Sequence, residues 1–271
     1  MNKMFKALTV SLLLNFSLSS IQAQTDFLHL DYELKVTYVP EIVNIRNTTV
    51  TISDDYLYYN VDYSPKSLGS LKDDPSIILL HQVNKKEYFS EILIERNKNH
   101  LIENRFDRRG VKRFLSINED LPEMKWEITD ETLELSGYKC FLAHLEFRGR
   151  KYEAYFTYDI PVTAGPWKFN GLPGLIVSIR DQTNTYGWTL KKINRVLSMD
   201  DKVEDFKERQ KKFKNVSYKQ FDQNRIEAKI AGLKIRKARS GSRTNSITYG
   251  FSTDQWLEPS NEYRSEINFS F

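Results

Sequence analysis

The chain has a single cysteine, Cys140, in 271 residues. An intramolecular disulfide is therefore excluded, and the fold must rest on its core. A lone cysteine in an exported chain can also pair between molecules or act as a reactive thiol. The alternating pattern around Cys140 favours a buried strand position, where free cysteine packs like a small hydrophobe. Histidine is scarce as well, and His29, His81, His100 and His144 show no helical metal-ligand spacing. Cys140 and His144 are four apart, which on a strand is roughly 13 Å. That is too far for one zinc, whose ligand bonds are about 2.0–2.3 Å. There is no Gly-x-Ser-x-Gly elbow and no Gly-Lys-Ser/Thr phosphate loop. The adjacent carboxylates Asp54-Asp55, Asp73-Asp74, Glu119-Asp120 and Asp200-Asp201 sit in turn-like stretches. Strand neighbours point apart, so adjacency does not make an acid–base pair. No catalytic residue, metal ligand or cofactor is assigned on these grounds.

An excess of one charge is also missing. Lysine and arginine number 40 against 36 aspartates and glutamates, so net charge gives no reason to expect a nucleic-acid partner. Long apolar runs are missing beyond the first twenty residues, and no transmembrane helix is expected there. The N-terminus itself has a secretory layout. Lys3 and Lys6 precede an apolar run from Ala7 to Leu18, and Ala23 offers a small residue for cleavage. The run is shorter than the roughly 20 residues that span a bilayer. The expectation is a signal peptide over residues 1–23, a mature domain over 24–271 and a periplasmic location.

Period-two alternation runs through the rest. Leu28, Leu30, Tyr32, Leu34, Val36 and Tyr38 alternate with polar residues, and Pro40 ends the run. Further strands are expected at Thr48–Ile52, Tyr56–Tyr63, Tyr88–Ile94, Val111–Ile117, Thr132–Leu135, Tyr138–Phe147, Lys151–Tyr158, Leu175–Arg180 and Tyr186–Ile193. Ile77–Val83 reads as either strand or helical turn, and Lys66–Ser76 as a loop. Arg148-Gly149-Arg150 and Asp181–Thr185 read as hairpin turns. Short connections imply antiparallel pairing, because parallel strands need long crossovers.

After Ile193 the character changes. Residues 191–239 hold sixteen Lys/Arg against seven Asp/Glu, and Asp200–Lys214 is dense in charge. A solvated face is the plain reading, and contact with an anionic lipid or acidic partner the sharper one. Ser217 is placed to cap a helix from Tyr218, with Ile226, Ile230 and Leu233 on one face. The end alternates again through Ile267, Phe269 and Phe271. The expected fold is mainly β: one curved antiparallel sheet, half-barrel or clam-like, with one or two helices in the C-terminal third and a charged, partly helical segment near 200–239.

A glycine–proline run stands between two of these strands, from Gly165 through Pro166-Trp167-Lys168-Phe169-Asn170 to Gly171-Leu172-Pro173-Gly174-Leu175-Ile176. Its last six residues spell GLPGLI. Upstream lie Gly137-Tyr138-Lys139-Cys140-Phe141-Leu142-Ala143 and the aromatic strand from Ala154 to Ile160-Pro161. In this order the motifs resemble the GLPGLI family of exported Bacteroidetes proteins, most clearly over 126–193. The chain departs from that pattern at its end, which lacks Asn-Pro-Ile-Glu and reads Glu258-Pro259-Ser260-Asn261 nearby. The resemblance implies an envelope location and supplies no catalytic residues. Proline fixes φ and glycine permits close approach, so the run makes a stiff connection pinned to the core, or a rigid rim for a ligand or partner. On the rim reading, Trp167, Phe169, Gly171, Leu172, Pro173 and Gly174 are the contact residues.

Three functions compete. The first is a non-enzymatic periplasmic protein that binds a lipid, a peptide or an outer-membrane partner in its curved sheet. The second is an outer-membrane β-barrel closed by the alternating C-terminus, although several strands carry charge where lipid would lie. The third is an envelope hydrolase with a site assembled by the fold.

Overall fold

The structure is a computed structural model and describes residues 27–39, 42–62, 78–79, 90–106, 114–196 and 198–240. The expected signal peptide at 1–23, the expected loop at Lys66–Ser76 and the strand pattern expected at the C-terminus lie outside these residues. The N-terminal strands are β1 (Phe27–Val39), β2 (Ile42–Ile52), β3 (Tyr56–Asp62), the short β4 (Ile78–Leu79), β5 (Ser90–Glu95), β6 (His100–Phe106) and β7 (Phe114–Asp120). Then come β8 (Glu127–Leu135), β9 (Tyr138–Phe147), β10 (Arg150–Thr157), β11 (Leu175–Asp181) and β12 (Tyr186–Val196). Helix α1 (Asp200–Lys212), strand β13 (Lys214–Ser217) and helix α2 (Tyr218–Ser240) follow.

The strands lie in the order β13-β7-β6-β5-β3-β2-β1-β12-β11-β10-β9-β8, with β4 beside β2. Two sequential meanders are thus joined where β1 meets β12, with Phe27 opposite Val196. Strands β7 and β8 are neighbours in sequence yet stand near opposite ends of the sheet. Only six residues, 121–126, connect them, and these reach at most about 25 Å. The sheet must therefore curl until its ends approach each other. Among the described residues it stays open all the same, because its end strands β8 and β13 do not pair. This departs from the closed barrel considered from the sequence.

Pairing is antiparallel except for β13 on β7 and β4 on β2. Alternation explains the layering. Leu30, Tyr32, Leu34 and Val36 of β1 face one large core with Tyr59, Ile92, Leu101, Leu145, Tyr152, Phe156 and Trp188. The other face is covered over β3, β5 and β6 by α1, through Tyr58, Leu93, Ile102, Val203 and Phe206. Ser217 caps α2 as expected: Gln220 N donates to its Oγ (3.2 Å), while Ser217 N donates to Gln220 Oε1 (3.1 Å). These two bonds satisfy orphan donors reciprocally. Ile226 and Ile230 are buried on the inner side of the helix.

Strand β6 is one that the sequence does not announce. Its residues read His-Leu-Ile-Glu-Asn-Arg-Phe, and Glu103 and Asn104 are buried in the middle of it. Polar residues at core positions break the alternation that marks a strand. The short β13 is also missed, since four residues of Lys-Asn-Val-Ser carry no pattern.

Candidate functional site: the glycine–proline segment and its buried charges

Residues between β10 and β11 fold back into the hollow of the curled sheet. Ile176 N donates to Ala164 O (3.0 Å) and Leu175 N to Ile160 O (3.1 Å), so the segment runs beside the start of β11. Gly174 has to be glycine: a Cβ there would lie 2.0 Å from the carbonyl oxygen of Thr157. Gly171 has φ +91, a left-handed conformation that glycine adopts without steric penalty. Trp167 is also left-handed, at φ 55. A bulky side chain in that region carries backbone strain of order 1–3 kcal/mol, which its surroundings must outweigh.

Those surroundings are aromatic. Trp167 stacks on Trp188 at 6.3 Å, and Phe169 meets Tyr152, Trp167 and Trp188 edge-on at 4.9, 5.1 and 5.7 Å. Each buried aromatic pair contributes roughly 0.5–1.5 kcal/mol beyond its buried area. Trp126 Nε1 donates to Asn170 O at 2.7 Å, tying the connection between β7 and β8 to the segment. Of the six residues read as a contact rim, Trp167, Phe169, Leu172 and Gly174 are buried, and only Gly171 and Pro173 are exposed. Gly171 stands beside Trp126, whose ring lies 3.6 Å from where a Gly171 Cβ would be.

Between the two buried aromatics lies Lys168, which is wholly buried. Its Nζ is 3.2 Å from Glu103 Oε2 and 3.0 Å from Glu119 Oε1. Arg148, on the β9–β10 turn, forms an ion pair with Glu119 and sits over the ring of Tyr218 at 3.5 Å. Arg105 reaches Glu103 at 3.1 Å. From α2, the buried Asp222 pairs with Arg225. The cluster therefore joins β6 and β7 at one end of the sheet, the β9–β10 turn near the other, the inserted segment and α2. Opposite charges with several hydrogen bonds each are what a dry interior requires of buried ions. Lys168 Nζ is engaged by two carboxylates at once. The arrangement ties the two ends of the curl together.

The sequence reading gives no site role to Glu103, Arg148 or Lys168, and it places Glu119 with Asp120 in a turn-like stretch; both stand instead in β7, where the Glu119 side chain is buried. Two signals were available. A lysine stands inside an otherwise apolar Pro-Trp-Lys-Phe run, and an arginine occupies a hairpin turn position that favours Asn or Asp. Arg148 and Gly149 both have positive φ, at 47 and 78, as that turn demands. Arg150, beyond it, is fixed by Asp181 (2.6 Å). Asp181 also accepts hydrogen bonds from the backbone of Thr183 and Tyr186, which shapes the β11–β12 hairpin.

A second polar group lies on the outer face under the first turn of α1. His29 Nδ1 is 2.8 Å from Thr51 Oγ1, and Lys202 Nζ donates to the same oxygen at 3.1 Å. Asp31 lies 3.4 Å from His29 Nε2 and accepts a hydrogen bond from Asn194 (3.2 Å). Burial, then the neighbouring Lys202, lowers the His29 pKa below its ordinary value, against the opposing pull of Asp31. The chain of carboxylate, imidazole and hydroxyl has catalytic order, but Thr51 is wholly buried and no substrate reaches it. The group fastens α1 to the sheet. Cys140 is buried in β9, and burial raises its thiol pKa; thiolate, the reactive form, is thereby disfavoured. Among the described residues no three His, Cys, Asp or Glu side chains gather where a metal would bind. Among them, too, no helix is long and apolar enough to cross a membrane.

Residues 146–178 match the family described as "Protein of unknown function (Porph_ging)". The match holds Arg148, Arg150 and Lys168 together with the whole glycine–proline segment, while Glu103 and Glu119 lie outside it. No curated protein matches the chain. Two similar solved structures are those of PNGF-II in its P21 and C2 space groups. Each has a TM-score of 0.50, with 11% and 12% identity, and each match covers 75% of this chain. The chain spans about a third of the length of those structures, 34% and 33%. At such identity the likeness concerns the fold.

Proposed function

We propose that this is an exported, non-enzymatic envelope protein of the GLPGLI family, periplasmic or associated with the outer membrane, which holds a protein partner at the open side of its curled sheet. The carrying observation is that the hollow of the sheet is filled by the chain's own Trp167, Phe169 and Leu172. A carrier of an acyl chain needs an apolar space of several hundred Å3 that can accept a ligand. Here that face is packed with the protein's own side chains. Binding then moves outward to the rim, where Gly171, Pro173 and Trp126 meet the start of β8. The secretory N-terminus and the ordered GLPGLI motifs support the location. The match at 146–178 supports the family, because it centres on the same segment.

Native mass spectrometry of the mature protein, drawn from an osmotic-shock fraction, tests this reading. The expected result is the mass of a chain lacking residues 1–23, without bound lipid, and with a protein partner retained after mild crosslinking. A reproducible lipid adduct, or a chain that stays with the cytoplasm, overturns it.

A further inference from the structure

Strand β8 ends the sheet, with β9 on one side and no strand on the other among the described residues. Edge strands present unpaired backbone donors and acceptors, and folded proteins usually blunt them with lysine, proline or brevity. β8 is nine residues long and contains no lysine, arginine or proline. It is exposed along most of its length. Ile128 and Leu133 keep 46% and 47% of their surface in solvent. They stand opposite Ala143 and Cys140, both part of the main core. Three residues apart on β9, those two point to opposite faces, so Ile128 and Leu133 do as well; Leu135, on the Leu133 face, also packs against the main core.

The same strand carries Glu127, Asp130, Glu131 and Glu134 and no basic residue. Its register shifts between Ile128 and Thr132. That irregularity is braced by the Thr129 hydroxyl, which donates to Leu142 O and accepts from Glu131 N, both at 3.2 Å. Beyond it, Thr132–Leu135 pairs regularly with β9, leaving a straight outer edge.

Building on the partner-binding reading above, we propose that β8 receives an extended segment of another protein, in which apolar residues alternate with lysine or arginine, added as one more strand. Backbone hydrogen bonds supply the attachment in such additions, and alternate side chains the choice of partner. Along Thr132–Leu135, apolar residues of the incoming strand lie on the face of Leu133 and Leu135, and its cations lie on the face of Glu134. A second copy of this chain is a poor occupant, because twofold pairing of β8 with itself sets acid against acid, and like charges directly opposite destabilise a sheet. An anionic lipid surface is repelled for the same reason.

The test uses the mature protein and short fluorescent peptides alternating valine with lysine, or valine with glutamate, read by anisotropy. The lysine peptide is expected to bind, and the glutamate peptide to bind at least about tenfold more weakly. Raising salt from about 0.05 M to about 0.5 M is expected to weaken binding severalfold, because exposed pairs are screened. N-methylation of alternate valines removes the pairing N–H groups and is expected to abolish binding without touching this protein. Glu131→Lys with Glu134→Lys, both at exposed positions, is expected to reverse the preference between the peptides. Absence of binding overturns the proposal. So does binding that survives N-methylation, which would be a purely electrostatic association. Self-association that is lost in Leu133→Asp assigns the edge to a second copy and likewise overturns it. A partner crosslinked in the periplasm at Gly171 or Pro173 but not along β8 leaves the partner-binding reading standing while this one fails.

Discussion

Replacing Lys168 with methionine isolates the buried ionic cluster. The side chain is wholly buried and touches Glu103 and Glu119, so methionine keeps much of the volume and removes only the charge. Breaking a buried ion pair from one side destabilises by roughly 3–5 kcal/mol, because a charge is left without compensation. Both carboxylates retain a partner here. Glu119 keeps Arg148, which is itself buried. Glu103 keeps Arg105, whose side chain is 36% exposed and therefore partly screened. The expected loss is thus at the lower end, about 3 kcal/mol. In a domain of this size that lowers the melting temperature by about 6–12 °C. Urea unfolding should show a lower midpoint with an unchanged slope, since the surface exposed on unfolding is the same. Lys168→Met combined with Glu103→Gln removes the stranded charge as well. It should recover at least about 1 kcal/mol of the single-variant loss, an interaction energy typical of residues in direct contact. A single-variant loss below about 1 kcal/mol, or no recovery in the pair, would refute the claim that the cluster holds the curl through charge.

Gly174→Ala places a Cβ against the Thr157 carbonyl, a backbone atom that cannot move aside; a loss of about 1–3 kcal/mol in urea unfolding is expected, as for other overpacked sites. Cys140 should resist alkylation in the folded protein at neutral pH and react fully in denaturant, because burial both shields the thiol and raises its pKa. The folded His29 has a lowered pKa, so the unfolded chain binds a proton more readily. Its contribution to stability is complete above the ordinary value of 6.5 and is lost as pH falls through the lower, folded value. His29→Asn should flatten the stability–pH curve just below pH 6.5, and an unchanged slope there would count against the α1 contact.

Much of the sheet is legible in the sequence wherever one face is wet and one dry. β1 shows this most plainly, with its polar partners on alternate positions, and β9 is read with its bounds, Tyr138–Phe147. Strand β6 was not, because Glu103 and Asn104 occupy interior positions whose meaning depends on Lys168, Glu91 and α1, all distant in sequence. The same gap hid the ionic cluster: its anions come from β6 and β7 and its cations from residues 148 and 168, and no local pattern joins them. Hydrophobic periodicity reports which way a side chain points and is silent on what waits there. The glycine–proline segment was legible as a stiff connection. Its pinning to the core through Trp167, Phe169 and Leu172 was one of two readings, since exposed rim and buried plug have the same composition.

The joint between β1 and β12 governs the order in which the protein can be assembled. Each meander is written in local hairpins, which form in microseconds. The seam between them pairs Phe27 with Val196 and cannot form until nearly the whole sheet has been synthesised. Until then β1 is a long, apolar-faced strand with one side bare, and aggregation competes with folding. Natural selection on this chain therefore acts on the waiting intermediate as well as on the finished sheet. The polar residues of β1, Asp31, Glu33 and Lys35 among them, keep that strand from pairing with the wrong neighbour while its last partner is still being delivered.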